Sequence, residues 1–211
     1  GILDAGIVSR AALLESKAKV TEVCQIGTPN SEWSATKVVL AVPEKSRIKS
    51  IKDLKGKRII TRLPEITKDF LKENKISAII EYFPTSNEAK VAGLADAIVE
   101  LVNTGATMRF YKLKPLIVIL KDANILSIIA HPEAIRNKWK REKMENLGLL
   151  LKGARLAQEM VGLMLHASND MMEEVLKILP SLKKPTVTHL RGQNWFDVFT
   201  VVDKKETRKL I

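Results

Sequence analysis

Short apolar runs recur along most of this chain, and between them lie segments with helical spacing. Val38–Val42 (VVLAV) and Leu116–Leu120 (LIVIL) are uninterrupted and have the length of strands buried on both faces. Around the first of these, Gly1–Ile7 reads as a strand, Arg10–Ser16 as a helix and Trp33–Val42 as a strand. Ser50 then serves as an N-cap, Asp53 falls in the first turn and Gly56 closes the turn before a strand at Arg58–Thr61. Glu65–Asn74 reads as a helix, Ile79–Tyr82 as a strand, Ala89–Leu94 as a short helix or turn and Asp96–Val102 as a strand. A helix beginning at Thr107, a strand at Ser127–Ile129 and a helix from Pro132 to Leu151 follow. Alternation of this kind predicts α/β layers with mostly parallel pairing.

The pattern changes near residue 152. Met160–His166 reads as a strand, Asn169–Leu179 as a helix capped by Asn169, and Thr186–Leu190 and Phe196–Val202 as strands joined by a turn at Gly192. Thr207–Ile211 reads as the start of another helix. Strand, helix, strand, strand, helix is the ferredoxin-like βαββαβ order without its last strand. At the other end, Gly1–Ile7 reads as a strand already in progress, so residues are expected upstream of Gly1.

Composition narrows the class. The chain is 45% hydrophobic and 28% charged, enough apolar material for a core. No stretch approaches the roughly 20 apolar residues of a membrane span, and no basic segment precedes an apolar one as in a secretory signal. The net charge of +11 fits an anionic small-molecule substrate or a nucleic acid. Aromatics make up only 5% and do not interleave with Arg and Lys, so no stacking platform for a specific nucleic acid is expected. The densest basic stretch, Arg136–Lys143 (RNKWKREK), reads as a solvated helix face. Cys24 is the only cysteine, which excludes an intrachain disulfide and fits a partly buried thiol in a reducing cytoplasm. His131, His166 and His189 lack metal-ligand spacing and read as neutral core or turn residues; Trp33, Trp139 and Trp195 read as packing residues.

Leu94–Arg109 (LADAIVELVNTGATMR) carries the chemistry. An apolar strand ends in an acidic residue, Glu100, and a small loop rich in hydroxyls follows: Asn103, Thr104, Gly105, Ala106 and Thr107. Backbone N–H groups and two threonine hydroxyls can converge on one anion, and a helix starting at Thr107 would favour a phosphate there. Glu100 can accept hydrogen bonds from sugar hydroxyls. An ordinary strand-to-helix turn with Gly has the same pattern, so the loop by itself leaves both readings open.

The segment resembles the phosphoribosyl-pyrophosphate loop of ATP phosphoribosyltransferases of the long, histidine-regulated form. Arg58–Phe70 (RIITRLPEITKDF), Ser86–Lys90 (SNEAK), Gly1–Ile7 (GILDAGI) and Leu179–Val187 (LPSLKKPTV) resemble further segments of that family in the same order, over nearly the whole chain. The resemblance implies a two-lobed, periplasmic-binding-protein-like catalytic core plus a C-terminal ferredoxin-like α+β regulatory domain, the whole truncated at both ends. The first lobe would comprise 1–42 and 111–151, the second 43–110, and the regulatory domain 152–211. It implies transfer of a phosphoribosyl group to N1 of ATP with release of pyrophosphate, the first step of histidine biosynthesis, with Mg²⁺ as cofactor. ATP and phosphoribosyl pyrophosphate would be the substrates, histidine the inhibitor, and a dimer or hexamer the assembly. Carried over by position, Glu100 holds the ribose hydroxyls and Asn103–Thr107 cradle the 5-phosphate. Asp4 and Glu88 are further substrate contacts, and Thr186 and Thr188 are effector contacts. No general base is nominated, because the transition state resembles an oxocarbenium ion with departing pyrophosphate. Glu100 stands where the family usually has Asp, and Val8, Ser9, Arg10 and Ala11 stand where it commonly has Thr-Gly and then Asp. The alternative is a non-catalytic ligand-binding module on the same two-lobed fold.

Overall fold

A computed structural model describes residues 3–27, 35–84, 91–179 and 184–207. The chain divides into two compact units, Gly1–Gly148 and Leu149–Ile211.

In the first unit the doubly apolar run becomes strand β3. Preceding it are β1 (Ala5–Ser9), α1 (Arg10–Ser16) and β2 (Thr21–Gln25), and β3 itself spans Lys37–Pro43. A 3-10 turn at Ile51–Leu54 leads to β4 (Arg58–Thr61), α2 (Pro64–Glu73), β5 (Ile79–Tyr82), α3 (Val91–Leu94), β6 (Ala97–Val102), α4 (Ala106–Phe110), β7 (Leu113–Leu120) and β8 (Leu126–Ala130). A second 3-10 turn, Ala134–Arg136, precedes α5 (Lys138–Glu159). The strands form a three-stranded sheet ordered β1-β8-β2 and a five-stranded sheet ordered β5-β4-β6-β3-β7.

Residues Val38, Leu40 and Val42 of β3 pack with Ile59, Phe70, Leu71 and Val99 on the α2 side of the larger sheet. Val39 and Ala41 pack with Ile60, Ile98 and Met108 on the α4 side. Each of the five β3 residues is at most 4% exposed. Hydrophobic alternation thus fills both faces of one strand, as expected for a central position.

Pairing direction departs from the sequence expectation. β4 runs parallel to β5 and β6. However, β3 runs antiparallel to β6 and β7, and β8 runs antiparallel to β1 and β2. A fully buried apolar run reads alike in either direction, so alternation alone does not reveal strand polarity. Strands β3 and β7, from the segments 1–42 and 111–151, hydrogen-bond into the sheet that holds β4–β6.

Asp53 organises the turn after β3. Its carboxylate accepts from the backbone N–H groups of Lys49 and Ser50 and from the Ser50 hydroxyl, which hold it below the usual carboxylate range. Helix α2 is stabilised from a distance. Its N-cap, Leu63, supplies no side-chain acceptor, and Pro64 has no N–H. The Glu65 and Ile66 amides instead donate to the Glu15 carboxylate of α1, at 2.9 and 3.0 Å. Lys17 and Asp69 add an exposed ion pair between the same helices. Helix α5 approaches β2 at Gly148, where a Cβ would lie 2.3 Å from the Cys24 sulfur.

The second unit contains β9 (Met160–Ser168), a 3-10 turn (Asn169–Met171), α6 (Met172–Ile178), β10 (Thr186–His189), β11 (Trp195–Asp203) and α7 (Lys204–Thr207). Its sheet is ordered β10-β11-β9 and wholly antiparallel, the arrangement of a ferredoxin-like sheet's first three strands. Ala167, Met172 and Val198 form its core with Leu165, Val175 and Phe196. Three details differ from the sequence reading. Ser168, not Asn169, is the N-cap of the turn before α6. His166 and His189 are exposed on strands rather than buried. Trp139 and Trp195 are 66% and 45% exposed, so neither is a core residue, and Trp139 instead lies under Lys143 with the ammonium 5.8 Å from the ring centroid. Trp33 lies outside the described residues.

Two substitutions test this packing. Glu15→Ala leaves the first amides of α2 without their acceptor and should destabilise the chain by about 1–2 kcal/mol, the range of a lost helix cap. Gly148→Ala should cost about 1–3 kcal/mol through overpacking against Cys24. Urea midpoints at unchanged slope would show both losses; midpoints equal to the parent's would contradict these contacts.

Candidate functional site

Strand β6 leads directly into the loop singled out in the sequence. Ile98 and Met108 are 0% and 6% exposed in one apolar cluster, so the strand before the loop and the helix after it are anchored to the same sheet face. Between them Asn103 and Thr104 are exposed and Gly105 is half-buried. Gly105 is the N-cap of α4 at φ +73°, a conformation that disfavours residues with a Cβ. The Thr104 hydroxyl accepts weakly from the Ala106 N–H at 3.4 Å, and the Thr104 carbonyl accepts from the Arg109 guanidinium at 3.1 Å. Ala106 and Thr107 are exposed in the first turn of α4.

Glu100 lies within β6, opposite Val39 of β3, and two more residues of the strand follow it. It is only 4% exposed. Its Oε1 accepts from the Leu101 N–H at 3.1 Å and forms an ion pair with Arg62 Nε at 2.7 Å. Arg62 follows β4, the parallel neighbour of β6. Thr61, fully buried, fixes that turn: its hydroxyl donates to the Val99 carbonyl at 2.9 Å and accepts from the Leu63 N–H at 2.9 Å. The carboxyl ends of two parallel strands therefore bring together a buried carboxylate, a half-exposed guanidinium and a small-residue loop. Carboxyl ends of strands are where open α/β sheets bind ligands.

The remaining nominated residues lie elsewhere. Asp4, just before β1, is held by Lys140 Nζ at 2.7 and 2.8 Å and borders a hollow lined by His131, Glu133 and Asn137. Thr186 and Thr188 are exposed on β10, opposite Phe199 and Asp197. Glu88 lies outside the described residues. Arg62 and Arg109, cations beside the loop among the described residues, were missed by the sequence reading. Burial of an acid implies a cationic partner, but finding Arg62 requires knowing that β4 neighbours β6. Among the described residues, no three His, Cys, Asp or Glu side chains cluster to hold a metal ion.

Comparison with known proteins follows the same division. Residues 1–153 match the family model described as ATP phosphoribosyltransferase, and residues 157–211 match that described as HisG, C-terminal domain. The ATP phosphoribosyltransferase of Pelotomaculum thermopropionicum is 37% identical over 211 residues, all of this chain and 72% of that protein. An ATP phosphoribosyl transferase (HisG:HisZ) complex from Thermotoga maritima superposes with a TM-score of 0.59 at 28% identity, over 72% of this chain and 70% of that chain. A periplasmic sulfonate-binding protein from Methylobacillus flagellatus superposes with a TM-score of 0.51 at 19% identity, over 85% of this chain and 56% of that one, a likeness of fold alone. The chain belongs to the ATP phosphoribosyltransferase family and is an enzyme of the glycosyltransferase class.

Proposed function

We propose that the carboxyl ends of β4 and β6 bind phosphoribosyl pyrophosphate for transfer to ATP. In that reaction N1 of the adenine forms a bond to C1 of the ribose. The C1–O bond to pyrophosphate breaks, and its electron pair leaves with the pyrophosphate. The observation that carries the assignment is the ion-paired Glu100 beside the exposed Asn103–Thr107 loop. Glu100 accepts hydrogen bonds from the ribose hydroxyls, and the loop amides and the Thr104 and Thr107 hydroxyls meet the 5-phosphate. Fixed donors and acceptors of this kind stabilise charge that shifts during transfer. Asp4 and Glu88 are proposed as lesser contacts, with Asp4 reaching substrate only on release from Lys140. The cleft would lie between a lobe of 1–42 with 111–151 and a lobe of 43–110.

Mg²⁺ is the proposed cofactor. Magnesium is usually held by one or two carboxylates together with substrate phosphates. The described residues hold no acidic cluster, and Glu100 is buried and already paired with Arg62, so the ion would be held chiefly by substrate phosphates and would neutralise pyrophosphate charge there.

The C-terminal unit is proposed to bind histidine at Thr186 and Thr188 and so to slow the enzyme, and the protein is proposed to self-associate as a dimer or hexamer. Among the described residues no helix is long and apolar enough to cross a membrane, and a biosynthetic role would place the enzyme in the cytoplasm. A non-catalytic solute binder is the weaker reading, because its support is likeness of fold alone.

Two experiments test these assignments. Gly105→Val in the full-length protein should weaken phosphoribosyl pyrophosphate binding at least tenfold by calorimetry while the thermal midpoint of the first unit stays within a few degrees; unchanged affinity would remove the loop from the site. Thr188→Val should weaken histidine inhibition severalfold at unchanged kcat, whereas an unaltered inhibition curve would place the effector elsewhere.

A further inference from the structure

We propose that Arg62 is a positioning residue for the phosphoribosyl site, acting through Glu100; the proposal rests on the substrate-binding role given to Glu100 above. A carboxylate that is 4% exposed keeps its charge only with a compensating partner. Arg62 is that partner, with Nε 2.7 Å from Oε1. A guanidinium is charged at every working pH and so keeps this carboxylate paired throughout.

The contact is built in from the backbone. Thr61 is fully buried, and its hydroxyl ties the β4 end to the Val99 carbonyl, one residue before Glu100. The same hydroxyl accepts from the Leu63 N–H, one residue after Arg62. The turn that carries Arg62 is thereby fixed to the strand that carries Glu100. On the other side, the Leu101 N–H donates to the same carboxylate oxygen at 3.1 Å. One oxygen is thus held between a strand amide and a guanidinium, which sets the orientation of the whole carboxylate. An acceptor for two vicinal hydroxyls works best when its orientation is set before the ligand arrives.

This role differs from that of a surface ion pair. Arg62 is half-exposed while Glu100 is not, so losing the arginine removes a cation in direct contact with a buried acid. The carboxylate then loses the contact that sets its orientation, which removes a well-placed hydroxyl acceptor from the site. This carboxylate is assigned to the ribose hydroxyls and not to ATP, so the ATP KM is expected to change little.

The test is a double-mutant cycle in the full-length protein, read as phosphoribosyl pyrophosphate affinity by calorimetry and as KM for each substrate. Arg62→Gln should raise the phosphoribosyl pyrophosphate Kd and KM about tenfold and leave the ATP KM within about twofold. In a Glu100→Gln background the same change should add less than about twofold, since its target is gone. Arg62→Lys, which restores a cation, should recover most of the affinity and guards against loss through misfolding. Additive losses would show that Arg62 acts independently of Glu100 and overturn the proposal. Retained affinity in Arg62→Gln would overturn it too. If Glu100→Gln alone binds normally, the substrate role of Glu100 fails as well, an outcome distinct from either of these.

Discussion

Burial of β3 on both faces is the constraint on which the first unit depends. Val38 to Val42 are almost wholly withdrawn from water, and each fully buried Val or Leu side chain contributes about 1.5–3 kcal/mol. Because β3 pairs with β6 on one edge and β7 on the other, this strand sets the register of its neighbours. Val39 opposite Glu100 is one consequence. A slip of one residue would turn Glu100 toward the α2 cluster and put Val99 in its place, exchanging the faces of the strand. The apolar pattern of β3 therefore also places the polar residue at the site.

Much of this organisation was legible in the sequence. The uninterrupted run VVLAV marked the central strand β3, whereas LIVIL became the edge strand β7 with Val118 exposed; Ser50, Asp53 and Gly56 marked the turn before β4. Gly105 marked the turn between strand and helix. Strand polarity was not legible, since a doubly buried run carries no directional signal. Contacts between distant residues were equally hidden: Glu15 caps a helix that begins nearly fifty residues later, and Arg62 pairs with Glu100 across two adjacent strands. Trp139 was read as a packing residue, whereas it lies exposed on a charged helix with the Lys143 ammonium over its ring.

The site departs from its expected form in an instructive way. Glu100 was expected to end its strand, but two residues of β6 lie beyond it and its side chain is buried. A two-lobed fold shared with a solute-binding protein says little about chemistry, because unrelated functions occupy the same scaffold. The distinguishing features are local: a charged acid held in an apolar layer and an open loop of small residues beside it.

The most direct measurement is a structure of the full-length enzyme with phosphoribosyl pyrophosphate bound. The account predicts the 5-phosphate within hydrogen-bonding distance of the Thr104–Thr107 amides, and the ribose hydroxyls on Glu100 with the Arg62 contact intact. A phosphoribosyl group seated away from this loop, or bound with Glu100 still out of reach, would contradict it.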